Sequence, residues 1–190
     1  MHNRLLNEVS EQSCAVSARW SRLSDRELVW CLRFQQAIHQ QPVVRLFAVV
    51  SRLGDGVFWY GLMIALLLTH GAAAAAPVGR MLLVGAICLG LYKWLKAKTT
   101  RPRPCTQYDR IQPRVAPLDE YSFPSGHTLH AVSFTILAVY DYPPLAWLLL
   151  PFALLVALSR VILGLHYPSD VLAGALLGGS LALLALLTLQ

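Results

Sequence analysis

The chain has 190 residues, of which 56% are hydrophobic and 14% charged, well off the soluble average. That length has room for one domain and is short for two. The composition argues against a soluble helical bundle, because the last apolar run carries no charged residue and little but lipid could cover it.

Residues 1–25 are polar and Arg-bearing. They lack the apolar core of a signal peptide, so no cleaved leader is expected, and the first spanning helix is expected to direct insertion. Ser24 and Asp25 are candidate helix N-caps. After them Trp30, Phe34, Ala37 and Ile38 recur at helical spacing. Val43, Leu46, Phe47, Val50 and Leu53 do the same, with Arg45 and Arg52 off the stripe. Both stretches read as amphipathic helices lying in the membrane interface, with Trp30 as an aromatic anchor. Gly54-Asp55-Gly56 is expected to break the chain.

A membrane crossing needs roughly 20 residues at about 1.5 Å each. The runs read as crossings are 56–69, which is short, then 78–95, 128–140, 145–165 and 171–189. Gly71 and the alanines before Pro77 predict a turn, as do Pro143-Pro144 and Tyr167-Pro168-Ser169. Ser169 or Asp170 can cap the last helix. The long connection, 99–124, is rich in Pro and Arg, and loops of that length are usually functional or disordered. Cys14, Cys31, Cys88 and Cys105 show no paired spacing, so free thiols are expected. The predicted fold class is therefore all-α: a multi-pass membrane helical bundle of five, or six, spanning helices with N-terminal interfacial amphipathic helices. It reads as a single domain over 1–190, polar and amphipathic over about 1–53 and membrane-spanning over 56–190.

This layout brings the 99–124 loop and the turn before Asp170 to one membrane face. Three polar clusters share that face. Lys96 precedes Arg103-Pro104; Pro124-Ser125-Gly126-His127 opens a helix; and Ser159-Arg160 leads to His166 and Asp170. Ionisable residues among apolar runs are costly and usually functional. Phosphoryl transfer is mostly positioning plus neutralisation of oxygen charge. Lys96, Arg103 and Arg160 supply cations, the two arginines as planar forks. Ser125 can donate its hydroxyl, and the amides of Gly126 and His127 would present a helix N-terminus to an anion. His166 would attack phosphorus from one ring nitrogen while Asp170 accepts the proton on the other. His127 would give a proton to the leaving alkoxide and later take one from water.

The three clusters, in this order and at this spacing, resemble the type 2 phosphatidic acid phosphatase superfamily of integral membrane lipid phosphatases, related to vanadium haloperoxidases. Its pattern is a Lys, six residues and Arg-Pro; Pro-Ser-Gly-His; and Ser-Arg, five residues, His, three residues and Asp. The match runs from Lys96 to Asp170 without departure. The resemblance implies the same residue roles, a phosphohistidine intermediate and catalysis without a metal. No carboxylate cluster suited to magnesium appears in the sequence, and no cofactor is expected. The implied activity is hydrolysis of a lipid phosphate or polyprenyl diphosphate. Phosphatidic acid, phosphatidylglycerol phosphate and polyprenyl diphosphates all remain candidates. A lipid phosphotransferase is the near alternative, and a non-catalytic membrane scaffold or transporter the distant one.

The expected partners are a membrane lipid substrate and the bilayer, with no nucleic acid; oligomeric state stays open. The expected location is the cell membrane. Five crossings put the N-terminus on the active-site face, where the positive-inside rule reads cytoplasm; six put both termini opposite the site. Lys93, Lys98 and Arg101 read as interfacial charges, His130 as a neighbour-bonded histidine, and Asp119, Glu120 and Tyr121 as solvated loop.

Overall fold

The computed structural model describes residues 23–38, 40–117 and 119–189. The expectations for residues 1–22, including the leader and Cys14, lie outside the described residues. Among the described residues all regular structure is helical. The order is α1 (23–37), α2 (Gln41–Arg52), α3 (Phe58–His70), α4 (Ala75–Thr99), a single turn α5 (Pro104–Gln107), α6 (Gly126–Asp141), α7 (Ala146–Ile162) and α8 (Pro168–Thr188).

Residue 23 is already helical. Ser24 and Asp25 therefore sit inside α1 and do not cap it, contrary to expectation. Ser24 is buried, and Asp25 accepts a hydrogen bond from the Tyr108 hydroxyl at 2.6 Å. In α2, Val44, Phe47 and Val50 are buried while Leu46 and Val49 face outward. Val44 and Phe47 pack on Ile162, Leu163 and Leu165. Gly54-Asp55-Gly56 breaks the helical path between α2 and α3, as expected: Asp55 and Gly56 leave helical φ/ψ. It forms a kinked, π-type turn over Leu53–Val57, with Gly56 at φ 120°, a conformation that glycine tolerates and other residues resist.

Three helical stretches are long and apolar enough to cross a membrane among the described residues: Gln41–Gln107, Pro143–Ile162 and Pro168–Thr188. The five sequence runs correspond to α3, α4, α6, α7 and α8. However, α3 has 13 residues and α6 has 16, below the roughly 20 a perpendicular crossing needs. The run predicted over 145–165 stops as a helix at Ile162, and its last residues form the turn into α8.

The helix α8 has an outward row of leucines, Leu172, Leu176, Leu183 and Leu187, all exposed. Its inward face is small: Gly174, Gly178, Ala182 and Ala185 are buried. Spacings of three and four residues put these on one side. An apolar exterior around a small-residue seam suits lipid on the outside and close helix packing inside. The seam meets α6, the helix against which α8 packs most extensively. A Cβ on Gly174 would lie 2.5 Å from the Ser125 carbonyl oxygen, and one on Gly178 would lie 2.2 Å from that of Leu129. The backbones therefore approach where no side chain fits. The same crossing is tied by Ser125 N donating to Asp170 O at 3.0 Å.

The described residues of the long 99–124 loop are tied down at several points. Its end returns to its start, with Ser122 N donating to Arg101 O at 2.9 Å. Arg114 N donates to Leu163 O, and Gln35 Nε2 to Gln112 O. The loop is thereby pinned to the α7–α8 turn and to α1, at one end of the bundle.

Gly178→Ala is expected to cost about 1–3 kcal/mol, as overpacking does, and to lower the melting temperature in detergent. Gly179→Ala, whose Cβ would find nothing nearer than 3.7 Å, is expected to leave it unchanged. Equal melting of the two variants would contradict the close α6–α8 crossing.

Candidate active site

Each predicted cluster reaches the loop end of the bundle by a different route. Lys96 lies in the last turn of α4 and is buried. Arg103 precedes the α5 turn and is buried as well. Gly126 and His127 open α6, and Ser125 is its N-cap. Arg160 is in the last turn of α7, His166 in the tight turn that follows, and Asp170 in the first turn of α8.

One cavity of about 460 Å³ brings together Lys96, Arg103, Gly126, His127, Arg160 and His166. Away from this charged end its walls are apolar, with Trp59 and Met63 from α3, Leu82 and Leu89 from α4, and Phe134 from α6. Two of the predicted residues do not line it. Asp170 lies behind His166, fully buried. The Ser125 hydroxyl is turned into its own helix, 3.0 Å from Thr128 Oγ1, and accepts from Thr128 N at 3.5 Å.

The ring of His166 has a defined polarity. Arg103 Nη1 lies 3.3 Å from His166 Nε2. Arginine only donates, so this contact places the lone pair on Nε2 and the ring proton on Nδ1. Nδ1 faces Asp170 Oδ2 at 3.6 Å, beyond hydrogen-bond length, and has no closer partner among the described residues. Burial, and then the charges of Arg103, Arg160 and Lys96, hold the His166 pKa well below the ordinary histidine value. The imidazole is neutral at physiological pH. A histidine with a depressed folded-state pKa contributes stability above its unfolded value of about 6.5, and loses it as pH falls through the folded value.

Asp119 occupies the cationic end of the cavity. Its carboxylate accepts from Lys96 Nζ at 2.7 Å to each oxygen and also pairs with Arg103 Nη2. Arg103 further donates Nε to Asp119 O at 2.8 Å and Nη1 to Leu165 O at 2.7 Å. Burial pushes the Asp119 carboxyl up, but the Lys96 hydrogen bond and the charges of Lys96 and Arg103 outweigh it, and its pKa is lowered. Asp119 was read as solvated loop, or as shaping substrate entry; it is an exposed loop residue, and it also lines the cavity, ion-paired with Lys96 and Arg103. Arg160 has a different environment. It is buried, its Nη1 donates to Ser51 Oγ, and its Nε has no partner among the described residues.

His127 Nε2 lies 3.4 Å from Asp55 Oδ1, in the kink between α2 and α3. His130 was read as a core or neighbour-bonded histidine over a pocket-lining one; it does both, lining the cavity with Nδ1 2.9 Å from Gly126 O and Nε2 3.2 Å from Gly85 O. Arg101 is not an interfacial charge. It is fully buried, 2.6 Å from both Asp170 Oδ1 and Glu27 Oε2. Glu27, Ser51, Asp55 and Arg101 were missed as site residues, because nothing in the sequence marks which distant segments meet the motifs. The one available signal was the doubled Arg101-Pro102-Arg103-Pro104.

The charged end can hold a multiply charged anion against an unprotonated His166 Nε2. A donor set of one lysine, two arginines and two histidines, with its nearest carboxylate already paired, favours an anion over a divalent cation.

The family model described as PAP2 superfamily matches residues 74–190. The bacitracin transport permease protein BcrC of Bacillus licheniformis is 47% identical over 57 residues, 30% of this chain and 28% of that protein. An undecaprenyl-diphosphatase of Sulfolobus acidocaldarius is 40% identical over 67 residues, 35% of this chain and 32% of that protein. These alignments thus span less than a third of either relative. The crystal structure of a PAP2 type phosphatidylglycerolphosphate phosphatase from Bacillus subtilis superimposes with a TM-score of 0.62 at 25% identity, covering 90% of this chain and 92% of that one.

If Asp119 holds the cationic end as an internal anion, Asp119→Asn should raise the affinity for inorganic phosphate by about tenfold, a 1.4 kcal/mol effect. Titration calorimetry on detergent-solubilised protein reads this directly. Unchanged or weaker phosphate binding would show that Asp119 does not compete for Lys96 and Arg103.

Proposed function

From the premise that this chain belongs to the PAP2 superfamily, we propose that it is a membrane phosphatase acting on a lipid phosphate or polyprenyl diphosphate through a phosphohistidine on His166. One observation carries the reading: a single cavity joins His127, His166 and three cations at one end to apolar walls from α3, α4 and α6 at the other. A phosphate head group fits the first and an acyl or prenyl tail the second.

Lys96, Arg103 and Arg160 hold the phosphoryl oxygens, with the α6 N-terminal amides at Gly126 and His127 adding donors. His166 Nε2 forms a bond to phosphorus as the bond from phosphorus to the lipid oxygen breaks. His127 gives that oxygen its proton. Water then attacks the phosphohistidine, His127 takes its proton, the P–N bond breaks, and phosphate leaves with His166 neutral again. Asp170 steadies the imidazolium formed in between. Ser125 acts by capping α6 and so holding Gly126 and His127 in place. The charge stabilisation comes from side chains, so the reaction proceeds without a metal.

We take the bundle to cross the cell membrane five times, at α3, α4, α6, α7 and α8, with α3 lengthened by its continuity with α2 through the Leu53–Val57 turn. The name of the Bacillus licheniformis relative points to transport. A carrier, however, has no use for an unprotonated His166 aligned with arginine and facing a second histidine-bearing wall.

Phosphate release from a panel of phosphatidic acid, phosphatidylglycerol phosphate and undecaprenyl diphosphate tests the reading. Activity on at least one lipid is expected, falling at least about a hundredfold in His166→Ala and His127→Ala. It should survive EDTA and be inhibited by vanadate. No release from any lipid, or His166→Ala equal to wild type, would defeat the enzyme reading; loss in EDTA restored by magnesium would defeat the metal-free mechanism.

A pH profile provides a separate check. Because His166 stays neutral well below its ordinary value, the nucleophile remains competent as pH falls through about 6.5. A loss of kcat/KM centred at about 6.5, together with an NMR titration of the His166 imidazole at the same pH, would contradict this.

A further inference from the structure

Asp170 is held by a chain of contacts that begins in α1, outside the stretch matched by the family model. Arg101 Nη1 donates to Asp170 Oδ1 at 2.6 Å and to Ser169 Oγ at 2.7 Å. Its Nη2 donates to Glu27 Oε2 at 2.6 Å. Glu27 in turn accepts from Ser169 N at 2.7 Å and from Ser169 Oγ at 2.8 Å. The other Asp170 oxygen accepts from Tyr167 N at 2.9 Å and faces His166 Nδ1. The Arg101 guanidinium also stacks over the Tyr167 ring, 4.1 Å from its centroid. Arg101 and Asp170 are both fully buried.

We propose that Glu27 and Arg101 are positioning residues that orient Asp170 behind His166, so that the N-terminal helix α1 completes the active site. The inference rests on the phosphatase reading above and deepens it. The physical reason is the number of demands on one carboxylate. A buried carboxylate bonded by a single arginine could turn toward that arginine with both oxygens, in the bidentate manner. Here Glu27 engages Arg101 Nη2, with Ser24 Oγ 3.4 Å from the same nitrogen, and Asp170 meets the fork at Nη1. One Asp170 oxygen goes to Arg101, and the other is directed to the backbone of Tyr167 and the His166 ring. Without Glu27, the Arg101 fork is free to take both oxygens and to draw Asp170 away from His166. Glu27 also holds Ser169 N and Ser169 Oγ, fixing the first turn of α8 from which Asp170 projects. Arg101 thus supplies the opposite charge for both carboxylates, and the Tyr167 and Ser169 donors add hydrogen bonds to them.

The role differs from that of a residue that merely stabilises the fold. It predicts an effect on turnover rather than on substrate binding, and one that exists only while Asp170 can accept a proton from His166.

The test uses the full chain in detergent and the lipid phosphate of the panel that it hydrolyses fastest. Glu27→Gln is expected to lower kcat about tenfold with KM within about twofold. In the Asp170→Asn background the same Glu27→Gln change should alter kcat by less than about twofold. Ser169→Ala, a milder cut in the same chain, should lower kcat in the same direction and lose its effect in the same background. It serves in place of Glu27→Gln should that variant melt below the assay temperature. An unchanged kcat in both variants, or an equal loss with and without Asp170, would overturn the inference while leaving the phosphatase reading intact. A wild-type protein inactive on every lipid would overturn both.

Discussion

Buried positive charge is the constraint around which this structure is arranged. Lys96, Arg101, Arg103 and Arg160 are all buried at one end of an apolar bundle. An ion removed from water costs several kcal/mol unless opposite charge and hydrogen bonds replace the solvent. The four are answered unequally. Arg101 has Asp170 and Glu27. Lys96 and Arg103 share Asp119, which is still partly exposed and sits on a loop. Arg160 donates to the neutral hydroxyl of Ser51. The first arrangement is closed and holds Asp170 behind His166. The others face the cavity, with Asp119 on a loop and Arg160 on a neutral hydroxyl, and they surround the unprotonated face of His166.

The rest of the fold supplies the positions. The glycine seam on α8 lets α6 approach until backbone meets backbone, which places the start of α6 against the start of α8. That crossing brings His127 and His166 to one cavity although they lie on different elements. The loop between α4 and α6 folds back on itself at Ser122 and Arg101, so both Arg103 and Asp119 reach the same point. The kink between α2 and α3 adds Asp55 beside His127. The N-terminal helices thus reach the site: α1 brings Glu27 to Arg101, and the kink after α2 brings Asp55 to His127.

Much of this was legible in the sequence. Lys96, Arg103, His127, Arg160, His166 and Asp170 stood out because polar residues in apolar runs are expensive, and their spacing named a family. The five main helices followed from the apolar runs and from Gly and Pro between them. Two of the misreadings come from contacts that a distant segment makes. Arg101 looks interfacial until α1 brings Glu27 against it, and Asp119 looks solvated until the loop closes over Lys96. Ser125 carries a phosphate-binding reading in its motif, yet its local geometry spends the hydroxyl on Thr128. Gly54-Asp55-Gly56 reads as a break, and the backbone does leave helical geometry at Asp55 and Gly56. Gly174 and Gly178 four apart in a leucine-rich run did carry a readable signal of close helix packing.

The central claim is that His166 Nε2 forms a bond to phosphorus while the surrounding cations hold the phosphate. The most direct measurement is mass spectrometry of the His127→Ala protein, quenched under alkaline conditions after incubation with a lipid phosphate hydrolysed by wild type. Phosphate is expected on His166 in each chain that has released its lipid product, because His127 is no longer present to deprotonate the attacking water. Phosphate on a different residue would contradict the account, as would an unmodified His166 in a variant whose first turnover still releases the lipid alcohol.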